Sequence, residues 1–187
     1  MKNIFETINK FYSHDKNIYH SIYHIKRMLK DYDKNRNDIF YHYPNLNDDI
    51  MINIIIWHDA GYLPGDKNNE VIASALYSNN TDKLNQTVVQ AIISTIPFHK
   101  EYDDDYQKII HDLDWLSFSD YDRLIKEEPL IRNEYPNIDD NMFNQGRKQF
   151  LEKMVEIYGN KLYVSKVFEK YNEIALNNIK KRINELN

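Results

Sequence analysis

Asn17–Lys34 reads NIYHSIYHIKRMLKDYDK, and within it Ile18, Ile22, Ile25, Met28 and Leu29 recur at the three- and four-residue spacing that lines one face of an α-helix. That stretch predicts an amphipathic helix carrying His20 and His24. Downstream, Leu46–Trp57 predicts a second helix. Asp48 or Asp49 lies near its start, and its nearly continuous isoleucines imply burial on all sides. This helix ends in His58-Asp59. Gly61–Asn69 (GYLPGDKNN) then reads as a loop, a candidate for a mobile functional segment, with a new helix beginning near Glu70.

Further helices are predicted over Asp82–Ile96, Asp105–Trp115, Asp120–Glu134, Asp139–Tyr158 and Lys161–Leu186. Pro97 closes the first of these and Pro136 separates the pair around it, while Pro129 should kink or divide Asp120–Glu134. Four glycines and five prolines fall far below the average combined share of about 12%. Turn-dense sandwiches, barrels and glycine-lined nucleotide folds are thereby disfavoured. The expected fold is an all-α, single-domain helical bundle covering 1–187, with no internal repeat and no linker.

Composition also narrows the partners. A net charge of −5 argues against a constitutive nucleic-acid binder or a polybasic membrane protein, leaving small molecules or proteins. Zero cysteines exclude disulfides and thiolate metal sites, so any metal must be held by nitrogen and oxygen. Met1–Lys10 lacks the apolar core of a secretory signal, and the apolar run Ile50–Trp57 is far short of the ~20 residues that span a bilayer. A cytoplasmic protein, or one of the host cytoplasm if the source is viral, is expected. Monomer and homodimer are both compatible with the sequence. Leu162, Val167, Phe168, Ile174, Ala175 and Ile179 either complete the core or form a dimer face, the core being favoured.

Chemistry-bearing residues concentrate at a few places. Any one of the seven histidines is unremarkable alone, but His20 and His24, four apart on a helix, can converge on one ligand. His58-Asp59 sits at a helix end, where adjacent side chains can straddle one ion while Gly61 lets the backbone turn away. His24 upstream and an aspartate of the cluster His111-Asp112-Leu113-Asp114 downstream would complete the set. Two imidazoles and two carboxylates leave two positions open on an octahedral ion, which suits Mn, Fe, Co, Ni or Mg and also admits Zn. Open positions are what a catalytic centre requires.

The ordered set resembles the HD-domain superfamily of metal-dependent phosphohydrolases, all-helical enzymes that hold a divalent ion with His…His-Asp…Asp. It is most similar to a bacterial and viral subgroup of predicted metal-dependent HD-type phosphohydrolases. The likeness is carried by Tyr19–Leu29 (YHSIYHIKRML), Trp57–Tyr62 (WHDAGY), Asn69–Ala75 (NEVIASA), Asp112–Leu116 (DLDWL), Ile131–Tyr135 (IRNEY), Gly146-Arg147 and Ile157-Tyr158, and runs from about Tyr12 to the C-terminus. The YHxxxH stretch also looks like that of cyclic-nucleotide phosphodiesterases.

The resemblance implies that His24, His58, Asp59 and Asp114 bind the metal, with Asp112 as the fallback for Asp114. It further implies that His20 is the general acid for the leaving oxygen, that Asp59 can bridge to a second ion, and that metal-activated water attacks phosphorus. Glu70 and Ser74 either touch substrate or begin and pack a helix. His99 either reaches phosphate or a second metal, or is a surface residue. Arg132 and Arg147 either clamp phosphate oxygens or form salt bridges with partners such as Glu134, and Tyr62 either stacks a base or belongs to the rim. The implied substrate is a small phosphoester, with a nucleotide favoured. A cyclic-nucleotide phosphodiesterase and a non-catalytic nucleotide- or metal-binding module are the alternatives.

Overall fold

Asparagine and aspartate side chains start five of the helices. Asn47, Asn85, Asp104, Asp120 and Asp139 each accept a hydrogen bond from a backbone N–H two or three residues on, the arrangement that satisfies an otherwise unpaired first-turn donor. A computed structural model describes residues 8–13 and 17–186 of the chain, so His14 and most of Met1–Lys10 lie outside the described residues. The described residues form α-helices joined by loops and two short 3₁₀ turns, with no strand among them. The helices are α1 (Ile22–His42), α2 (Asp48–Trp57), α3 (Asn69–Asn80), α4 (Gln86–Ile93), α5 (Asp105–Asp114), α6 (Tyr121–Asn133), α7 (Asp140–Tyr158) and α8 (Asn172–Glu185). The protein is an all-α bundle with one continuous core, and no described helix is long and apolar enough to cross a membrane.

The central element is α2. Met51, Ile54, Ile55, Ile56 and Trp57 are all buried, and the helix packs on α1, α3, α4 and α5. Since α5 also packs on α1, three helices meet where α2 and α5 end. Two helix C-termini therefore point at one place, and their dipoles favour positive charge there.

Several boundaries differ from the sequence expectation. Helix α1 begins at Ile22 after the N-cap Ser21, not at Asn17, and continues past Lys34 to His42. His20 thus precedes the helix, and the same-face argument for His20 and His24 does not apply. Asp82–Ile96 shortens to α4. Helix α6 runs through Pro129 undivided.

The largest correction is at Lys161–Leu186, where only Asn172–Glu185 is an α-helix. Residues 162–165 are held in a non-helical course by α5. Val164 N–H and Ser165 N–H donate to the two oxygens of Asp112 at 2.9 and 2.8 Å, and His111 Nε2–H donates to the Leu162 carbonyl at 2.9 Å. The Asn172 amide brackets Tyr163, accepting its N–H and donating to its carbonyl. Backbone groups committed to these side chains cannot join a helical ladder. Leu162, Val167, Phe168, Ala175 and Ile179 are buried in the core as expected, while Ile174 is exposed.

Residues 61–68 form a loop, but a tethered one. Asn69 accepts the Leu63 N–H and donates to the Leu63 and Asp66 carbonyls, and Gly61 N–H donates to the Phe11 carbonyl. Gly61 has φ +74°, and a Cβ there would stand 2.6 Å from Leu76 Cδ1, so only glycine lets the chain turn away from His58-Asp59 this closely.

Candidate metal centre and adjoining cavity

His24 comes from the first turn of α1, His58 caps the C-terminus of α2 with Asp59 next to it, and Asp114 is the last residue of α5. His24, His58 and Asp114 form a group able to hold a metal ion. Asp59 joins them. His58 Nε2 lies 3.2 Å from Asp59 Oδ2 and 3.7 Å from Asp114 Oδ1, and His24 Nε2 lies 3.5 and 3.2 Å from the same two oxygens. Two ligands bound to one ion at about 2.1 Å are themselves about 3.0–3.5 Å apart, which three of these four separations match and the fourth, at 3.7 Å, slightly exceeds. Both imidazoles are buried, and neither Nε2 has a hydrogen-bond partner. Orphaned buried nitrogens aimed at two carboxylates are the donor set an N/O-ligated cation requires.

The rings are oriented from behind. His58 Nδ1–H donates to the Ile55 carbonyl at 2.9 Å, which leaves the Nε2 lone pair facing the carboxylates. His24 differs, because Arg27 Nη2, which can only donate, sits 2.6 Å from its Nδ1. Without an ion, neutral His24 therefore carries its proton on Nε2, and binding a cation requires that proton to leave. Burial lowers the pKa of His24 and outweighs the pull of Asp114 and Asp59. Burial opposes the charged form of His58 too, but there the two carboxylates prevail and raise it well above the ordinary range.

Asp112, the fallback ligand, is excluded from this cluster by geometry. Its carboxylate points the other way and holds the backbone at 164 and 165.

His20 stands beside the centre, its ring 6.2 Å from that of His24, and is held by a residue that sequence reasoning did not assign to the site. Glu134 Oε2 accepts Nδ1–H of His20 at 2.7 Å, and Glu134 Oε1 accepts the backbone N–H groups of Ile18, Tyr19 and His20 at 2.7–2.9 Å. Glu134 is fully buried and takes no arginine; the salt bridges expected of Arg132 and Arg147 form instead with Asp140 and Glu128. Burial disfavours the His20 cation, but Glu134 together with the charges of Asp59 and Asp114 raises its pKa. Tyr62 stacks on the His20 ring at 3.6 Å with planes 14° apart, so its stacking partner in the fold is His20.

No protein-family profile, no curated protein and no solved structure matches this chain.

A cavity of about 400 Å³ opens from the centre, with His20, Asp59, Tyr62, Glu70 and Asp114 at its inner end. Burial raises the Glu70 carboxyl, with the charges of Asp59 and Asp114 adding to the shift. The outer walls come from α6, α7 and the 3₁₀ turn at Leu116–Ser119. Arg147 lines the cavity but donates to Glu128 at 3.1 Å and packs over Phe150.

Three expected substrate contacts are not among the cavity walls. Ser74 is buried in α3 and donates to the Val71 carbonyl. His99 packs edge-on against Tyr102, its carbonyl accepting the hydroxyls of Tyr102 and Tyr158. Arg132 is bound to Asp140, the Tyr135 carbonyl and the Ile138 carbonyl, where it braces the turn around Pro136.

Sequence reasoning also passed over Arg27 and Glu127. Arg27 bridges His24 to Glu127, and Glu127 in turn accepts from Arg123. Among these, the three-residue spacing of His24 and Arg27 and the four-residue spacing of Arg123 and Glu127, each on one helix, left a local signal.

Proposed function

We propose that this protein is a metal-dependent phosphohydrolase of the HD type that cleaves a small phosphoester. The observation that carries the reading is the pair of unpartnered, buried Nε2 atoms of His24 and His58 converging with Asp59 and Asp114 at the closed end of a cavity that also presents His20. The resemblance in the sequence adds to it, because the clustered residues are those it implied.

His24, His58, Asp59 and Asp114 would hold the divalent ion. Once bound, such an ion acts as a Lewis acid and lowers the pKa of water from 15.7 toward 7. The remaining work belongs to the chain. Glu134 fixes the tautomer of His20 by accepting from Nδ1, which turns Nε2 toward the cavity as a proton donor for the leaving oxygen. Tyr62 holds the ring flat by stacking. Mn, Fe, Co, Ni, Mg and Zn all suit the donor set.

Elemental analysis of the purified protein, followed by phosphate release from a panel of phosphoesters with added Mn, Mg, Co or Ni, tests the proposal. We expect about one equivalent or more of metal and metal-dependent release. His20→Ala should keep the metal and lose most turnover, whereas Asp59→Ala should lose both. Opening of a cyclic diester to its monoester, followed chromatographically, without phosphate release from any monoester would reassign the chain to the phosphodiesterases. An absence of metal under every loading condition would overturn the reading.

A further inference from the structure

Away from the metal centre, most of the cavity wall is apolar, with Tyr19, Thr95, Ser117, Glu127, Tyr135 and Arg147 interspersed. Trp115, Phe118, Leu124, Ile131, Phe143 and Phe150 line it. Several of the polar side chains among the walls are committed within the protein. Thr95 donates its hydroxyl to the Ile92 carbonyl at 2.7 Å. Glu127 accepts from Arg27, Arg123 and Tyr19. The lining cation Arg147 is paired with Glu128, whose other oxygen is held by Arg182. A sugar or a base edge needs several hydrogen-bonding partners, and a β- or γ-phosphate needs several cations; this wall offers the hydroxyls of Ser117 and Tyr135 and one arginine, already paired through Nε with Glu128, and leaving a ligand's polar groups unpaired against the apolar remainder costs affinity.

The mouth supports the same conclusion. Met142, Phe143, Gly146, Arg147 and Phe150 all lie on the cavity side of α7 at helical spacing. Gly146 stands within this stripe, and a Cβ built on it meets no atom within 4 Å. Glycine in a helix interior costs about 1 kcal/mol relative to alanine, and this one is exposed at the cavity rim, where the missing side chain leaves the opening wide. Met142, one turn before it, is 58% exposed, continuing the apolar surface out toward solvent.

We infer that the substrate is a phosphate monoester of an apolar alcohol, its single phosphoryl group at the metal centre and its hydrocarbon or aryl body along the α7 wall beside Gly146. This rests on the phosphohydrolase reading and narrows its substrate class away from nucleoside polyphosphates. In the reaction, water oxygen bonds to phosphorus as the bond from phosphorus to the alcohol oxygen breaks. The His20 proton goes to that oxygen, and the products are the free alcohol and orthophosphate.

The test uses n-alkyl phosphates from methyl to decyl, whose leaving groups are nearly equal in basicity, beside nucleoside mono- and triphosphates, with the Mn-loaded protein. Phosphate release gives kcat/KM, and thermal protection by the matching n-alkyl phosphonates gives binding without turnover. We expect kcat/KM to rise about three- to fourfold for each added methylene until the chamber is filled, following the transfer free energy of a buried CH₂. Gly146→Leu, which replaces a poor helix former, should fold normally and lower kcat/KM for decyl phosphate at least tenfold more than for methyl phosphate. Equal rates along the alkyl series, or a preference for triphosphates, would overturn the inference while leaving the phosphohydrolase reading intact. Chain-length-dependent binding of phosphonates without phosphate release from any ester would sustain the ligand class and overturn the hydrolase reading.

Discussion

Glu134 and His20 are 114 residues apart in the chain and share a 2.7 Å hydrogen bond that sets the direction of the imidazole. The same carboxylate collects three successive backbone N–H groups, so one buried acid fixes both the ring and the segment that carries it. A buried carboxylate with this many donors is a positioning device of the kind that orients histidines in acid–base sites. It also explains how His20 reaches the centre without being helical.

Replacing Glu134 by glutamine keeps the volume but removes the charge and sets an amide N–H₂ against donors. We expect phosphate release to fall by about one to two orders of magnitude, with metal content retained. Stability should drop by about 1–3 kcal/mol, as for other buried groups left without a partner. Elemental analysis and urea unfolding of Glu134→Gln beside His20→Ala check this; loss of metal in the glutamine variant would contradict the positioning role.

The two aspartates of α5 should separate cleanly. Asp114→Ala removes a donor from the centre and should abolish stoichiometric metal. Asp112→Ala leaves the Val164 and Ser165 N–H groups unpaired and should keep the metal while costing about 2–4 kcal/mol of stability. Metal content and the urea midpoint of the two purified variants distinguish the roles.

His111 and Asp112 give the protein opposing responses to acid. Burial pushes His111 down to about 4, so its folded form stays neutral where the unfolded form charges; its contribution to stability is present above about pH 6.5 and is lost as pH falls toward 4. Burial pushes Asp112 up to about 7, so its contribution is present near pH 4 and is lost as pH rises to 7. Each shift corresponds to about 3–4 kcal/mol, and in the wild type they largely cancel. Urea unfolding between pH 7 and 4 should show stability falling with acid in Asp112→Asn and rising in His111→Gln. Parallel slopes in the two variants would contradict this account.

Two glycines with positive φ should respond unequally to alanine. Gly65 (φ +85°) has no neighbour for a Cβ, so Gly65→Ala carries backbone strain alone, about 1–2 kcal/mol. Gly61→Ala adds the 2.6 Å contact with Leu76 and moves the turn after Asp59. We expect a larger fall in Tm for Gly61→Ala, accompanied by weaker metal retention, measured by thermal unfolding and elemental analysis.

Much of the fold was readable locally. The isoleucine content of Leu46–Trp57 announced a helix buried on all sides, and α2 is that helix. Asn and Asp at the helix starts, and proline between helices, act within a few residues of where they stand. The convergence of His24, His58 and Asp59 with an aspartate of α5 was also legible, because candidate ligands placed at helix ends survive small errors in helix boundaries.

What the sequence by itself determined was thus the helices, their caps and the inventory of donors, all set by interactions spanning a turn or less. The tertiary structure alone decided which donors face one another. Asp112 and Asp114 sit about 200° apart around α5, and only its packing on α1 and α2 turned Asp114 inward and gave Asp112 to residues 164 and 165. The same holds for Glu134 on His20, for the non-helical course of residues 162–165, and for the apolar wall beside Gly146. Each depends on groups far apart in the chain, whose partners are chosen by how buried helices fit together and not by any local periodicity.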